Sequence, residues 1–259
     1  MTRDERRAAL EQIANEVRVC SACRLAEGRT RAVPGEGDPD TEVVFVGEGP
    51  GFNEDREGRP FIGRAGGLLV RLLGSIGWQR EDVFITNVVK CRPPDNRDPQ
   101  PDEIAACAPY LRRQLEALDP AVVVTLGRYS MGTFMPGARI GQVHGTTVPA
   151  DPATGARDAL VFAMYHPAAA LRTPALERES FEDVARVPAT LQRSRDHRAG
   201  MAEAGDPATQ TADAPAEAPA IATSHVPAPA ASPAKASAPA QPVESSAPAA
   251  DDASQLTLF

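Results

Sequence analysis

Four short runs of Val, Ile, Leu and Phe stand out upstream of residue 170: Glu42–Gly47 (EVVFVG), Asp82–Asn87 (DVFITN), Ala121–Gly127 (AVVVTLG) and Leu160–Tyr165 (LVFAMY). Each is apolar almost throughout rather than alternating, the pattern of a strand buried on both faces. The stretches between them carry a longer period. Ala65–Ile76 (AGGLLVRLLGSI), Pro101–Leu118 (PDEIAACAPYLRRQLEAL) and a shorter segment from Arg128 to Phe134 read as helices, and Asp102 and Glu103 fall in a first turn, where acids favour a helix start. The opening MTRDERRAALEQIANEV is charged and amphipathic, without the apolar core of a signal peptide. Strand alternating with helix predicts an α/β fold, a three-layer α/β/α sandwich around a central, mostly parallel four-stranded sheet, occupying residues 1–196.

From residue 197 the pattern stops. The chain runs on through AEAGDPATQTADAPAEAPA as an Ala/Pro/Ser/acid tract whose prolines oppose helices and whose apolar side chains are too small to build a core. Residues 197–254 are therefore expected to be a disordered linker. The tract also carries most of the acidity: the chain has a net charge of −8, and residues 1–196 account for only −3 of it. Acidity of this kind excludes no partner, because nucleic-acid binding depends on where arginines cluster on the folded surface. No apolar run reaches membrane length, so a soluble, cytoplasmic, nucleoid-associated monomer with no membrane partner is expected.

In an open parallel sheet, ligands bind beyond the carboxyl ends of the strands. Gly47-Glu48-Gly49-Pro50-Gly51, Asn87 and Tyr165-His166-Pro167 all fall there. Alone, the glycine-rich turn fits a tight turn or a phosphate cradle, but it lacks the Lys-Ser/Thr of a P-loop and holds no basic residue. The four cysteines are more telling. Cys20 and Cys23 have a metal-ligand spacing, while Cys91 precedes and Cys107 lies within one predicted helix, so four thiolates can meet. That set accepts zinc or a 4Fe–4S cluster; the second C-x2-C of many zinc sites is missing, which tilts the choice toward iron–sulfur and leaves zinc the lesser candidate. Either would staple the N-terminal segment to the region between the second and third strands, a structural role.

Taken together, GEGPGFNEDREGRPFIGRAG, ITNVVKCRPPDNRDPQPDE, MYHPAAALR and the four cysteines resemble the family 4, iron–sulfur uracil-DNA glycosylases over about residues 15–192. The resemblance implies a 4Fe–4S cluster on Cys20, Cys23, Cys91 and Cys107, and excision of uracil from DNA to leave an abasic site, the first step of base-excision repair. Such an enzyme must take the base out of the stack and read its edge in a closed pocket. Asn87 matches the family's uracil-reading asparagine, and Phe61 its aromatic platform. Bond cleavage puts positive charge on the sugar and negative charge on uracil, so a carboxylate on one side and a donor on the other are needed. Glu48 fits the first role and His166 the second, with Glu54 a further candidate for handling water. Gly49, a substrate-binding candidate, follows Glu48 where other branches of the superfamily carry Asp, which leaves the water-activating group open, and Asn96 matches another family position. Leu171 resembles the wedge that fills the vacated stack, and Arg92, Arg97 and Arg172 flank the strand ends as phosphate contacts. No lysine lies in these motifs to form a Schiff base, Lys90 being the nearest, so a monofunctional enzyme is expected.

The chain closes with Ser254-Gln255-Leu256-Thr257-Leu258-Phe259, where large apolar residues return in a stretch that has no core of its own. Gln255, Leu256, Leu258 and Phe259 resemble the peptide by which bacterial repair proteins bind the DNA polymerase sliding clamp, and the preceding linker would span about 40 Å or more. The competing reading is a non-excising iron–sulfur DNA-binding module tethered to the clamp; it gains weight only if Glu48, Asn87 and His166 fail to converge.

Overall fold

All four apolar runs form strands, and all four pair in parallel. In the computed structural model, which describes residues 1–204, the strands are β1 (Glu36–Gly37), β2 (Val43–Gly47), β3 (Phe84–Asn87), β4 (Val122–Leu126), β5 (Thr147–Pro149) and β6 (Leu160–Met164). They lie in the order β1-β3-β2-β4-β6-β5. The inner four are the predicted parallel strands, and β1 and β5 cap the edges antiparallel. The sheet thus has six strands where the sequence pattern indicates four. The two extra strands escape it because they are two and three residues long and contain Gly37 and Pro149, residues that weaken any strand signal.

The helices are α1 (Arg3–Val19), α2 (Leu25–Gly28), α3 (Phe52–Glu57), α4 (Arg64–Ser75), α5 (Pro101–Leu118), α6 (Arg128–Phe134), α7 (Ile140–Val143), α8 (Pro167–Ala170), α9 (Pro174–Val184) and α10 (Val187–Ala204). Strand alternation divides the core. Val43 and Phe45 face Leu68, Leu69, Leu72 and Leu73 of α4 with Val184 of α9 and Leu191 of α10, while Val44 and Val46 face Leu111 and Leu115 of α5 and Met131 of α6. This is the expected three-layer sandwich. The four leucines of α4 recur on one helical face and are all buried, and truncating one to Ala would cost about 2–5 kcal/mol.

A third apolar cluster joins α1 to the loop after β3, with Ile13 and Val17 against Leu25, Val89 and Cys91. Thr2 and Glu5 form a capping box that starts α1, and Glu16 pairs with Arg113 of α5. The expected linker boundary at residue 197 is corrected: α10 continues through Ala204. The residues Ala199, Met201, Ala202, Glu203 and Ala204 are good helix formers, and the first proline comes only at Pro207. The rest of the proposed linker and the terminal peptide, residues 205–259, lie outside the described residues. Among the described residues, no helix is long and apolar enough to cross a membrane.

Candidate active site

The carboxyl ends of the parallel strands bring four of the sequence-predicted residues together. The register between β2 and β3 sets Gly47 opposite Asn87. Asn87 is only 1% exposed, yet its Oδ1 has no hydrogen-bond partner among the described residues. A buried unpaired amide oxygen costs about 1–3 kcal/mol, so this atom is poised for a donor. Gly47 keeps the space beside it open: a Cβ there would strike Asn87 Oδ1 and stand 2.5 Å from Phe61 Cζ. Across the site the Phe61 ring lies 5.7 Å from that of His166, centroid to centroid.

Gly127 draws Glu48 and His166 to the same spot. It follows β4 with φ +93°, a conformation open to glycine, and a Cβ would run into Glu48 Oε1 and come within 2.9 Å of His166 Cβ. Glu48 accepts the Tyr129 N–H at 3.3 Å. Burial raises its carboxyl above the ordinary 4.5, opposed by the Tyr129 N–H and the Arg128 charge. His166 caps α8: its Nδ1 accepts the Ala168 N–H at 3.1 Å. The imidazole is therefore neutral with its proton on Nε2. Enclosure by protein, with the Arg172 charge adding to it and Glu54 opposing, lowers its pKa to about 4.

The loop carrying Phe61 is held from three sides. Phe61 has φ +51°, a left-handed conformation that costs a non-glycine residue about 1 kcal/mol or more. Arg80 donates to the Phe61 carbonyl at 2.9 Å and to that of Pro60, and is paired with Glu36 at 2.8 Å. Glu54 Oε1 accepts the N–H groups of Ile62 and Gly63 at 3.0 and 2.8 Å. Gly66 of α4 lies so close that a Cβ would overlap the Phe61 carbonyl. Glu54 therefore stands behind the loop with one oxygen committed to it. Gly49 is similarly confined, its absent Cβ falling 2.8 Å from Val89 Cγ2. Sequence reasoning missed Gly66, Gly127 and the Arg80–Glu36 pair, and it named Gly47 only as the first residue of the glycine-rich turn.

The outer candidates are less uniform. Asn96, also left-handed at φ +54°, is exposed and accepts Arg92 Nε at 2.8 Å rather than turning inward. Arg97 is bound through two hydrogen bonds, 2.9 and 2.6 Å, to the fully buried Glu103 at the start of α5, so its guanidinium braces the helix. Leu171 is half-buried against the α4 side of the core, and Arg172 is exposed beside it. Lys90 is buried, donating to Thr86 Oγ1, the Asn87 carbonyl and Gln114 Oε1 at 2.6–2.8 Å. Burial lowers its pKa to about 8.

Away from this site, Cys20, Cys23, Cys91 and Cys107 line one pocket with Arg29 and Tyr110. Three donors already point at sulfur: Arg29 Nη1 at 3.2 Å from Cys91, Lys90 N at 3.3 Å from Cys107 and Ala22 N at 3.4 Å from Cys20. Burial pushes the Cys107 thiol up to about 11 and raises that of Cys91, a shift that a bound cation would oppose. Among the described residues, no three His, Cys, Asp or Glu side chains are arranged to hold a single metal ion.

Residues 34–187 match the profile of the uracil DNA glycosylase superfamily, which includes every strand and all four pocket residues. The chain belongs to that superfamily. Among its members, a type-4 uracil-DNA glycosylase of Saccharolobus solfataricus is 50% identical over 188 residues, 70% of this chain and 86% of the relative. The type-4 enzyme of Thermotoga maritima is 43% identical over 194 residues, 74% of this chain and 98% of the relative. A type-5 uracil-DNA glycosylase of Thermus thermophilus is 35% identical over 120 residues, 40% of this chain and 54% of the relative. The superfamily match ends at residue 187, the first residue of α10.

Proposed function

We propose that this protein is a monofunctional uracil-DNA glycosylase that hydrolyses the N-glycosidic bond of flipped-out uracil and so initiates base-excision repair. The observation that carries this reading is the buried, unpaired Asn87 Oδ1 facing the same small space as the Phe61 ring and a neutral His166. Uracil supplies what each lacks. Its N3–H meets Asn87 Oδ1, the amide N–H2 reaches O4, and its ring lies against Phe61. As the C1′–N1 bond breaks, its electron pair leaves with uracil, and the His166 Nε2–H donates to the charge growing on O2. The sugar gains positive character beside the Glu48 carboxylate, which orients water toward C1′ and takes the proton as the new C–O bond forms. Gly49 keeps the turn close to the base. Glu54 serves by fixing the loop that carries Phe61 and is the second candidate for handling water.

Lys90 commits its ammonium to three protein oxygens, which supports a reaction that stops at the abasic site. Arg172 and Arg92 are proposed phosphate contacts, with Leu171 filling the stack.

The donor set of four cysteines fits a 4Fe–4S cluster, with zinc the lesser alternative. A cluster on Cys20, Cys23, Cys91 and Cys107 would supply iron–thiolate bonds tying the α1–α2 segment to the β3 loop and α5. Gln255, Leu256, Leu258 and Phe259 are proposed to recruit a monomeric, cytoplasmic enzyme to the sliding clamp; deleting residues 255–259 should abolish clamp pull-down, and an unchanged pull-down would refute it.

The test of the activity is alkali-revealed cleavage of a single-uracil oligonucleotide by anaerobically purified protein, beside a thymine control. Uracil-dependent cleavage that disappears in Asn87→Ala and in a Glu48→Ala, His166→Ala double variant is expected. No cleavage by wild-type protein would overturn the reading in favour of a DNA-binding module.

A further inference from the structure

Just outside the pocket, the protein offers an aromatic ring to solvent. Phe52, the first residue of α3, is 53% exposed. Two guanidiniums flank its ring, Arg92 at 5.3 Å and Arg56 at 5.7 Å from the centroid. Most arginines nearby are neutralised, Arg80 by Glu36, Arg97 by Glu103 and Arg128 by Asp98. Neither Arg56 nor Arg92 pairs with a carboxylate among the described residues; Arg92 is instead steered by Asn96.

The position of this group matters as much as its composition. Phe52 follows Gly51 at the end of the glycine-rich turn. The next two residues, Asn53 and Glu54, reach Gly63 of the loop that carries Phe61, a Cβ on Gly63 falling 3.1 Å from Asn53 Nδ2 and 3.3 Å from Glu54 Oε1. On the other side Pro93, next to Arg92, approaches Gly49, a Cβ there lying 3.6 Å from its Cδ. Phe52 and Arg92 thus sit on the loops that pack against the pocket turn and the Phe61 loop. An exposed ring with two guanidiniums beside it, neither paired with a carboxylate among the described residues, matches a nucleobase with its flanking phosphates, the combination by which proteins grip single strands.

We propose that Phe52, Arg92 and Arg56 form a stacking platform for an unpaired base of the substrate strand adjacent to the flipped uracil, with the guanidiniums on the neighbouring phosphates. The proposal rests on the uracil-excision reading and adds a second base-binding position to it. It makes the enzyme grip single-stranded DNA through a base other than the one it removes.

The test is the dissociation constant, by fluorescence anisotropy, for a single-stranded oligonucleotide whose uracil nucleotide carries a 2′-fluorine that resists cleavage. A second oligonucleotide lacks the bases on both sides of that uracil. Phe52→Ala should weaken binding of the first about tenfold and leave the second unchanged, and Phe52→Trp should restore the first. An unaltered constant on the first strand overturns the proposal, as does an equal loss on both, which would assign the ring to backbone or pocket instead. Cleavage of an unmodified uracil strand by wild-type protein, run alongside, reports on the excision reading separately; its absence would overturn that reading and this platform with it.

Discussion

His166 makes a quantitative prediction about stability. Its pKa falls from the ordinary 6.5 to about 4 because protein encloses the ring, the Arg172 charge adds to the effect, and Glu54 offsets part of it. The cap bond points the same way: Nδ1 accepts the Ala168 N–H and is not free to take a proton. The sign is set by which state binds the proton. As pH drops through 6.5 the unfolded chain protonates this histidine while the folded chain does not, so stability is lost with falling pH until the folded ring titrates near 4. The full shift corresponds to about 3 kcal/mol, of which about 2 kcal/mol is lost by pH 5.

The comparison that isolates this group is His166→Asn, whose side-chain oxygen can still cap the Ala168 N–H and which does not titrate in this range. Urea unfolding of both proteins at several points from pH 7.5 to pH 5 cancels every carboxylate they share. Wild type should lose about 2 kcal/mol relative to the variant over that interval. Parallel curves would mean that the ring titrates normally, and the neutral donor assigned to it would fall with them. The same reasoning extends to rate. Excision should show no acid limb at 6.5, and should instead decline as pH is lowered through the raised pKa of Glu48, above 4.5.

Three further perturbations test the packing around the site and the cysteine pocket apart from it. Gly47→Ala puts a methyl against Asn87 and 2.5 Å from the Phe61 ring; single-turnover excision should fall about 100-fold while the urea midpoint moves little. Gly66→Ala overlaps the Phe61 carbonyl, and urea unfolding should register a loss of about 1–3 kcal/mol with excision reduced as well. Cys107→Ser should remove visible absorbance and bound iron and make the segment around Cys20 and Cys23 sensitive to protease; iron retained at wild-type stoichiometry would contradict the four-thiolate cradle.

The parts legible in sequence are those governed by burial over several residues. β2, β3, β4 and β6 announce themselves as apolar runs, and α4, α5 and α6 as periodic ones, because each must fill a core whichever loops connect it. The two edge strands do not, since β1 and β5 are fixed by pairing with neighbours distant in sequence rather than by their own composition. The site divides similarly. Glu48, Asn87 and His166 are readable as polar residues at strand ends, whereas the Arg80–Glu36 clamp on Phe61 spans 44 residues and leaves no local pattern. Arg97 illustrates the opposite error: an arginine beside a proposed DNA path that Glu103 holds in place. The helix beyond residue 197 is hidden by composition, since an Ala-rich stretch reads alike as helix and as linker until the first proline is weighed.

On the proposed reading, the arrangement also accounts for how a site with so few polar groups would distinguish bases. Asn87 Oδ1 is buried and has no hydrogen-bond partner among the described residues, so a ligand that donates to it offsets the desolvation cost of that acceptor. Uracil, with a hydrogen on N3, would satisfy it. Cytosine presents a lone pair at N3, which leaves Oδ1 unpaired and sets two acceptors against each other. Sites built around a specific hydrogen bond reject ligands that cannot make it far more strongly than apolar pockets reject a change of size, by about 10⁴-fold or more. That discrimination survives only if the amide and the ring opposite it stay put. The glycines at 47 and 66, together with Arg80 and Glu54 behind the Phe61 loop, are what hold them. On this reading, selectivity is a property of the packing that immobilises Asn87 and Phe61 as much as of the two residues themselves.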